Sequence, residues 1–231
     1  MSRDLLPLNR DPFQLRRSRF HTPSQWGQEL AVLEILGFRR DGFFLDSGAT
    51  NGVRCNNTWL LESAFGWKGI CIEPDDAAFA ELVNNRTCHC FNCCLYDRPG
   101  PVDFVEAGTL GGILAEFDPS HLELAKRCHH LAGDASGRPV TVAKEARTIL
   151  SVLKEVAAPR VIDYWSLDTE GSELALLRSF PYDEYTFDVL SVEHNWLPVR
   201  EQIKTLLESR GYRRVREMKV DDIYMKNTIS V

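Results

Sequence analysis

The run 43–74, FFLDSGATNGVRCNNTWLLESAFGWKGICIEP, constrains this chain more than any other. Phe43, Phe44 and Leu45 form a short apolar stretch that stops at Asp46, and Gly48 and Gly52 bracket a turn. Residues 57–65 put Trp59, Leu60, Leu61, Ala64 and Phe65 at helical spacing, and Gly66 ends that helix. Ile70, Cys71 and Ile72 then make a second buried strand that closes on Glu73. Strand, glycine turn, helix and strand make a βαβ unit. An acid closing the second strand, about 20 residues beyond a glycine turn, is placed to grip a nucleoside ribose.

The remaining pattern extends this unit. A helix starts at Thr22-Pro23-Ser24 and runs to Gly37, with Gln25 and Glu29 within reach of a ligand at the glycine turn or simply solvated. Residues 76–86 are helical, 87–96 read as a third strand interrupted by Asn92, and 101–107 as an edge hairpin strand. A helix over 146–156 precedes the apolar strand 161–168. A helix over 172–180 precedes the strand 187–193, which runs into His194-Asn195. A helix from Pro198 ends at Gly211, and 212–218 and 223–225 close the chain as a strand pair. Apolar strands alternating with amphipathic helices predict an α/β fold. It is a doubly wound, seven-stranded, mostly parallel sheet with an antiparallel C-terminal hairpin. Residues 1–21 read as an N-terminal arm, 22–231 as one domain, and 108–139 as an irregular insert serving as lid or substrate wall. His121, His129 and His130 lie in that insert and read as scattered surface histidines.

Bulk properties exclude some partners. A net charge of −6 argues against a general nucleic-acid surface, and Arg16, Arg17 and Arg19 read as a solvated arm. No apolar run is long enough to span a membrane, and the N-terminus lacks a signal-peptide core. Of the seven cysteines, Cys88, Cys90, Cys93 and Cys94 crowd one segment without zinc spacing. They read as reduced core thiols in a cytoplasmic protein.

Charge chooses among nucleoside ligands. A nicotinamide site wants G-x-G-x-x-G, so that a pyrophosphate can approach the backbone. Here the turn is Asp46-Ser47-Gly48-Ala49-Thr50-Asn51-Gly52, with an acid just before it. That acid repels a pyrophosphate and attracts the ammonium of S-adenosylmethionine (SAM), which also brings a ribose for Glu73. A non-catalytic SAM-binding module and a nucleotide-sugar or NAD enzyme are the competing classes.

The segments FLDSGATNGV, GWKGICIEP, SLDTEGSELALL, SVEHN and GY…DDIYM resemble the FkbM-type SAM-dependent methyltransferases over residues 24–226, and SQWGQE is similar to that family's entry helix. The resemblance implies a class I methyltransferase fold, SAM as methyl donor and O-methylation of a hydroxyl on a small metabolite such as a sugar or polyketide. Ser47 and Thr50 depart from the family's commonest turn but remove neither a glycine nor the acid.

Expected roles follow. Asp46 orients the methionine amine, Gly48 and Gly52 admit the ligand, and Asn51 donates to the methionine carboxylate. Glu73 accepts both ribose hydroxyls. Asn92 binds the adenine amino group or serves as a structural amide. For the acceptor, Asp168, Glu170 and His194 are the candidate catalytic residues, since a hydroxyl needs a base near the transition state. The same cluster has two other readings: a divalent-cation site, the less favoured one, or a structural His194. Glu173 and Glu193 read as fold-stabilising. Oligomeric state is not written in the sequence.

Overall fold

A computed structural model describes residues 21–129 and 139–229. The expected arm therefore lies almost wholly outside the described residues, as do His130 and the centre of the insert.

The main sheet has seven strands: β1 (Phe43–Ser47), β2 (Lys68–Ile72), β3 (His89–Phe91), β8 (Val161–Leu167), β9 (Thr186–Glu193), β10 (Tyr212–Met218) and β11 (Asp221–Lys226), ordered β10-β11-β9-β8-β1-β2-β3. Strands β1, β2, β3, β8 and β9 pair in parallel. The closing hairpin does not simply add two strands at the edge. Its second strand, β11, inserts beside β9 and is antiparallel to both β9 and β10.

Alternation places successive residues on opposite faces. Leu45, Trp165 and Leu190 join one apolar core, whereas Phe44, Tyr164 and Val189 join the other. The first core is covered by α5 (Ile149–Glu155), α6 (Glu173–Ser179) and α7 (Val199–Ser209). The second is covered by α1 (Gln28–Ile35), α2 (Trp59–Phe65) and α3 (Asp76–Asn85). With both faces covered, the strands read as near-continuous apolar runs. Asp75 caps α3 by accepting from the Ala78 amide, and Thr148 caps α5 through the Ser151 amide.

The third strand differs from expectation. The run 87–96 breaks after Phe91: β3 pairs with β2, whereas β4 (Cys94–Leu95) pairs with β7 (Val142–Arg147). Strands β4, β7, β5 (Gly100–Val105) and β6 (Gly112–Ile113) make a second, four-stranded sheet. The expected edge hairpin strand is thus β5, an inner member of this second sheet. Helix α4 (Pro119–His129) follows it within the insert. Cys55, Cys71, Cys88, Cys90, Cys93 and Cys94 are free thiols, with Cys71, Cys93 and Cys94 buried. Among the described residues, no helix is long and apolar enough to cross a membrane.

Candidate functional site

The pairing register builds the site. Ser47 lies level with Ile72 and with Leu167, Ile72 with Phe91, and Leu167 with Val192. One residue further on, Asn92, Glu73, Gly48, Asp168 and Glu193 form a row along the carboxyl edge of the sheet. Asp221 opens β11 opposite Glu193 and extends the row. The sheet order reverses at β1, and such switch points leave a crevice. A cavity of about 220 Å³ lies there, lined by Gly48, Glu73, Asp168, Glu170 and Glu193 of the strand ends. Cys93, Cys94, Phe104 and residues 108–113 wall it from the second sheet, and Gln25 from the entry segment.

At the β1–β2 end the main chain does the positioning. The Gly48 and Ala49 amides both donate to the Ile72 carbonyl. Gly48 has φ +88°, and a Cβ there would lie 1.8 Å from the Asp168 carbonyl oxygen, so no side chain fits. Glu73 is buried, and its two carboxylate oxygens accept from different backbone amides, Thr50 at 2.8 Å and Asp75 at 2.8 Å. Burial pushes its pKa up to about 7 against the pull of those two amides.

Other expected residues of this end face elsewhere. The Asp46 carboxylate is buried outside the cavity lining and accepts from Thr58 Oγ1 at 2.6 Å and Asn56 Nδ2 at 2.9 Å. Burial raises its pKa, and Thr58, Arg86 and Asn56 oppose that. It therefore anchors the loop after the glycine turn. Asn51 donates to Glu81 and accepts from the Val53 and Arg54 amides. Asn92 is exposed and donates to the Glu73 and Pro74 carbonyls. Glu29 turns back onto Ser24, away from the cavity, whereas Gln25 lines it.

At the β8–β9 end, acids face acids. Asp168, Glu170 and Glu193 bring carboxylate oxygens within 4.8 Å of one another. Burial, with Glu170, Asp221 and Glu173 close by, holds the Asp168 pKa far above the usual carboxylate range. Burial and Asp168 do the same to Glu193. Buried Asp221 accepts from Gln28 at 2.6 Å and is pushed up to about 6 by burial. Glu173, buried beneath this group, accepts from the Thr169 and Gly171 amides and fixes the loop that carries Glu170.

The structure brings Asp168 and Glu170 together and leaves His194 apart. Glu193 and His194 are neighbours on a strand end, so they point to opposite sides. His194 is buried beside Asp222 at 3.7 Å, its Nδ1 accepts from the Trp196 amide, and burial lowers its pKa. The imidazole that does reach the carboxylates belongs to His121 of α4, which is buried rather than on the surface. Its Nε2 lies 2.9 Å from Glu170 Oε2, and that contact raises its pKa. Asn195 joins them, donating to Glu193 at 2.8 Å. Thr50, Glu170 and Asn195, all lining the cavity, hold positive φ without being glycine. Such backbone is costly and collects at functional sites.

Chemically, the first end offers a preorganised acceptor for paired hydroxyls. The second offers oxygen ligands to a cation or a desolvated base to a proton. No local signal marked Glu193, Asp221 or His121; the strand order brings in the two acids and α4 brings in the histidine.

The chain matches the family described as the methyltransferase FkbM domain over residues 46–214. None of the curated proteins matches it. Among solved structures, a METTL16 MTase domain is 13% identical with a TM-score of 0.46, covering 86% of this chain and 65% of its own. A putative RNA methyltransferase from Pyrococcus horikoshii is 14% identical with a TM-score of 0.42, covering 87% and 82%. The N-terminal domain of human METTL16 in complex with SAH is 13% identical with a TM-score of 0.42, covering 96% and 72%. The family match takes in the glycine turn, Glu73 and both acidic strand ends, and on it this chain belongs to the FkbM family of SAM-dependent methyltransferases.

Proposed function

We propose that the chain binds SAM at the β1–β2 end and transfers its methyl group to a hydroxyl of a small-molecule acceptor at the β8–β9 end. The observation that carries this reading is Glu73, a buried carboxylate preset by two amides at the mouth of a cavity. Among the described residues no Lys or Arg lines that cavity, so a pyrophosphate or a nucleic-acid backbone would meet no cation there. SAM carries a ribose diol and an ammonium, and no phosphate.

In this reading Glu73 accepts the ribose hydroxyls. Gly48 admits the ligand, Gly52 lets the turn close against Leu82 and Arg86, and Asp46 holds the turn while its charge favours the ammonium. Asn51 steadies the loop beside the methionine carboxylate. Asn92 fixes the chain after Glu73 at the adenine end. The acceptor oxygen attacks the methyl carbon in line, the carbon–sulfur bond breaks, and S-adenosylhomocysteine (SAH) leaves. Alignment supplies much of the rate. The hydroxyl proton passes to Asp168, whose desolvation suits it to a base. Glu170 is oriented by His121, and His194 supports the strand end. Residues 22–231 act as one domain, with the insert 108–139 as acceptor wall. The free thiols suit the reducing cytoplasm.

A second reading adds a divalent cation. Asp168, Glu170 and Glu193 are hard oxygen ligands within reach of one ion, which fits magnesium or manganese. Bound there, the ion would lower the pKa of an acceptor hydroxyl. Activity abolished by a chelator and restored by either metal selects this reading.

The test uses methyl-labelled SAM and a small-molecule extract. The expected outcome is label in an alkali-stable O-methyl product. Label on nitrogen or on added RNA, or SAH binding with no transfer at all, contradicts it.

A further inference from the structure

A second cleft, of about 410 Å³, adjoins the first. Glu193 and Asn195 line both, so the two spaces meet at the end of β9. Its other walls come from the start of α4, the loop before α6 and the start of α7. Phe117, Leu174 and Pro198 give it apolar surface. Its ionisable lining is Glu116, Asp118, Glu173 and Glu193, with His121 and His194. No Lys or Arg lines it among the described residues. Arg200 and Arg214, on the far side of His194, are held by Asp222 and Glu217. His121 in turn is paired with Glu170.

The charge is therefore one-sided. Asp168, Glu170 and Asp221 press on Glu193 from within the sheet edge, and Glu116 and Asp118 add to it from the insert. Carboxylates crowded in this way repel one another, and a positive charge entering the cleft relieves that repulsion. An anion entering would add to it. Glu116 also accepts from the Tyr96 hydroxyl, so its position is set before any ligand arrives. Space, apolar walls and placed polar groups are the features of a small-molecule site.

We propose that this second cleft takes the methyl acceptor, and that the acceptor is cationic: an amine-bearing alcohol rather than a phosphorylated or carboxylated one. The inference rests on the reading above, in which SAM fills the first cavity. Its hydroxyl then meets the methyl group at the Glu193–Asn195 seam, while its ammonium lies against Glu116 and Glu193.

The test is calorimetric titration of the SAH-saturated protein, with EDTA present so that no divalent cation supplies the positive charge. The probes are glucosamine, glucose and glucose 6-phosphate, which share a hydroxylated ring and differ in charge. Glucosamine should bind about tenfold or more tightly than glucose, the worth of one charge-assisted hydrogen bond. The phosphate should not bind. Glu116→Gln, which can still accept from Tyr96, should narrow the preference several-fold without loss of SAH binding, and Glu193→Gln should narrow it as well. Equal responses to all three probes, absence of binding included, or a preference for the phosphate overturns the proposal. Failure of SAH itself to bind sinks the SAM reading instead, and the same probes on the unliganded protein still measure the charge preference of the cleft.

Discussion

The two ends of the cavity hold their acids by opposite means. At the β1–β2 end, each Glu73 oxygen already accepts a backbone amide. At the β8–β9 end, Asp168 and Glu193 face other carboxylates, and burial with mutual repulsion lifts both. The first arrangement sets two amides against the cost of burial, which still lifts Glu73 to about 7, and it is shaped for neutral donors such as hydroxyls. The second stores repulsion and waits for a proton or a cation. One strand-end geometry thus yields a carboxylate held by amides on one side and a crowded acidic group on the other, according to what surrounds each acid.

The largest expected effect concerns the backbone that joins the two ends. Gly48→Ala forces a Cβ against the Asp168 main chain, which cannot move without disturbing β8. It should cost about 4 kcal/mol or more in unfolding free energy. At Gly52 the obstacles are side chains rather than main chain: buried Leu82 and the stem of Arg86, whose guanidinium is held by Glu62, Asn56 and Thr58. Gly52→Ala should cost less, about 2–3 kcal/mol. Denaturant titration measures both, and equal costs would break the account of the turn.

Next in size is a separation of chemistry from binding. Asp168→Asn should lower methyl transfer by about 100-fold or more while SAH affinity changes only a few-fold. His194→Ala should lower transfer by the folded protein far less, by about tenfold at most, because its ring lies outside the first cavity and lines only the second cleft. Loss of transfer in the histidine variant with Asp168→Asn still active would exchange the roles of the two residues.

Acidity sharpens the contrast further. Glu73 titrates at about 7 in the folded chain against 4.5 unperturbed. Only the ionised form accepts both ribose hydroxyls, so SAH should bind about tenfold more weakly at pH 6 than at pH 8. Stability moves the other way. A raised folded pKa contributes stability that is fully present below 4.5 and lost as pH rises through about 7. Asp221, at about 6, acts in the same direction. Thermal unfolding of the unliganded protein across this range, beside SAH titrations, would reveal the opposed trends; parallel trends would remove Glu73 from the site.

Legibility in the sequence follows the same division. The β1–β2 end is one continuous run, so its strands, turn and closing acid were visible in order. The acidic end is assembled across the sheet. Glu193 reads as structural until β9 is known to lie level with β8, and Asp221 until β11 is seen to insert beside β9. His121 arrives from the insert, where apolar spacing is weak, whereas His194 sits beside an acid in sequence but on the other side of the strand. The break at Asn92 was visible as a polar interruption. That the chain changes sheets there was not, because alternation is the same whichever neighbour a strand pairs with.

The most direct test of the account is the affinity of Glu73→Ala for SAH by calorimetry, with unfolding checked on the same sample. Loss of two charge-assisted hydrogen bonds predicts binding weaker by about 100-fold or more in a protein that remains folded. A folded Glu73→Ala protein that binds SAH within a few-fold of the original would contradict it.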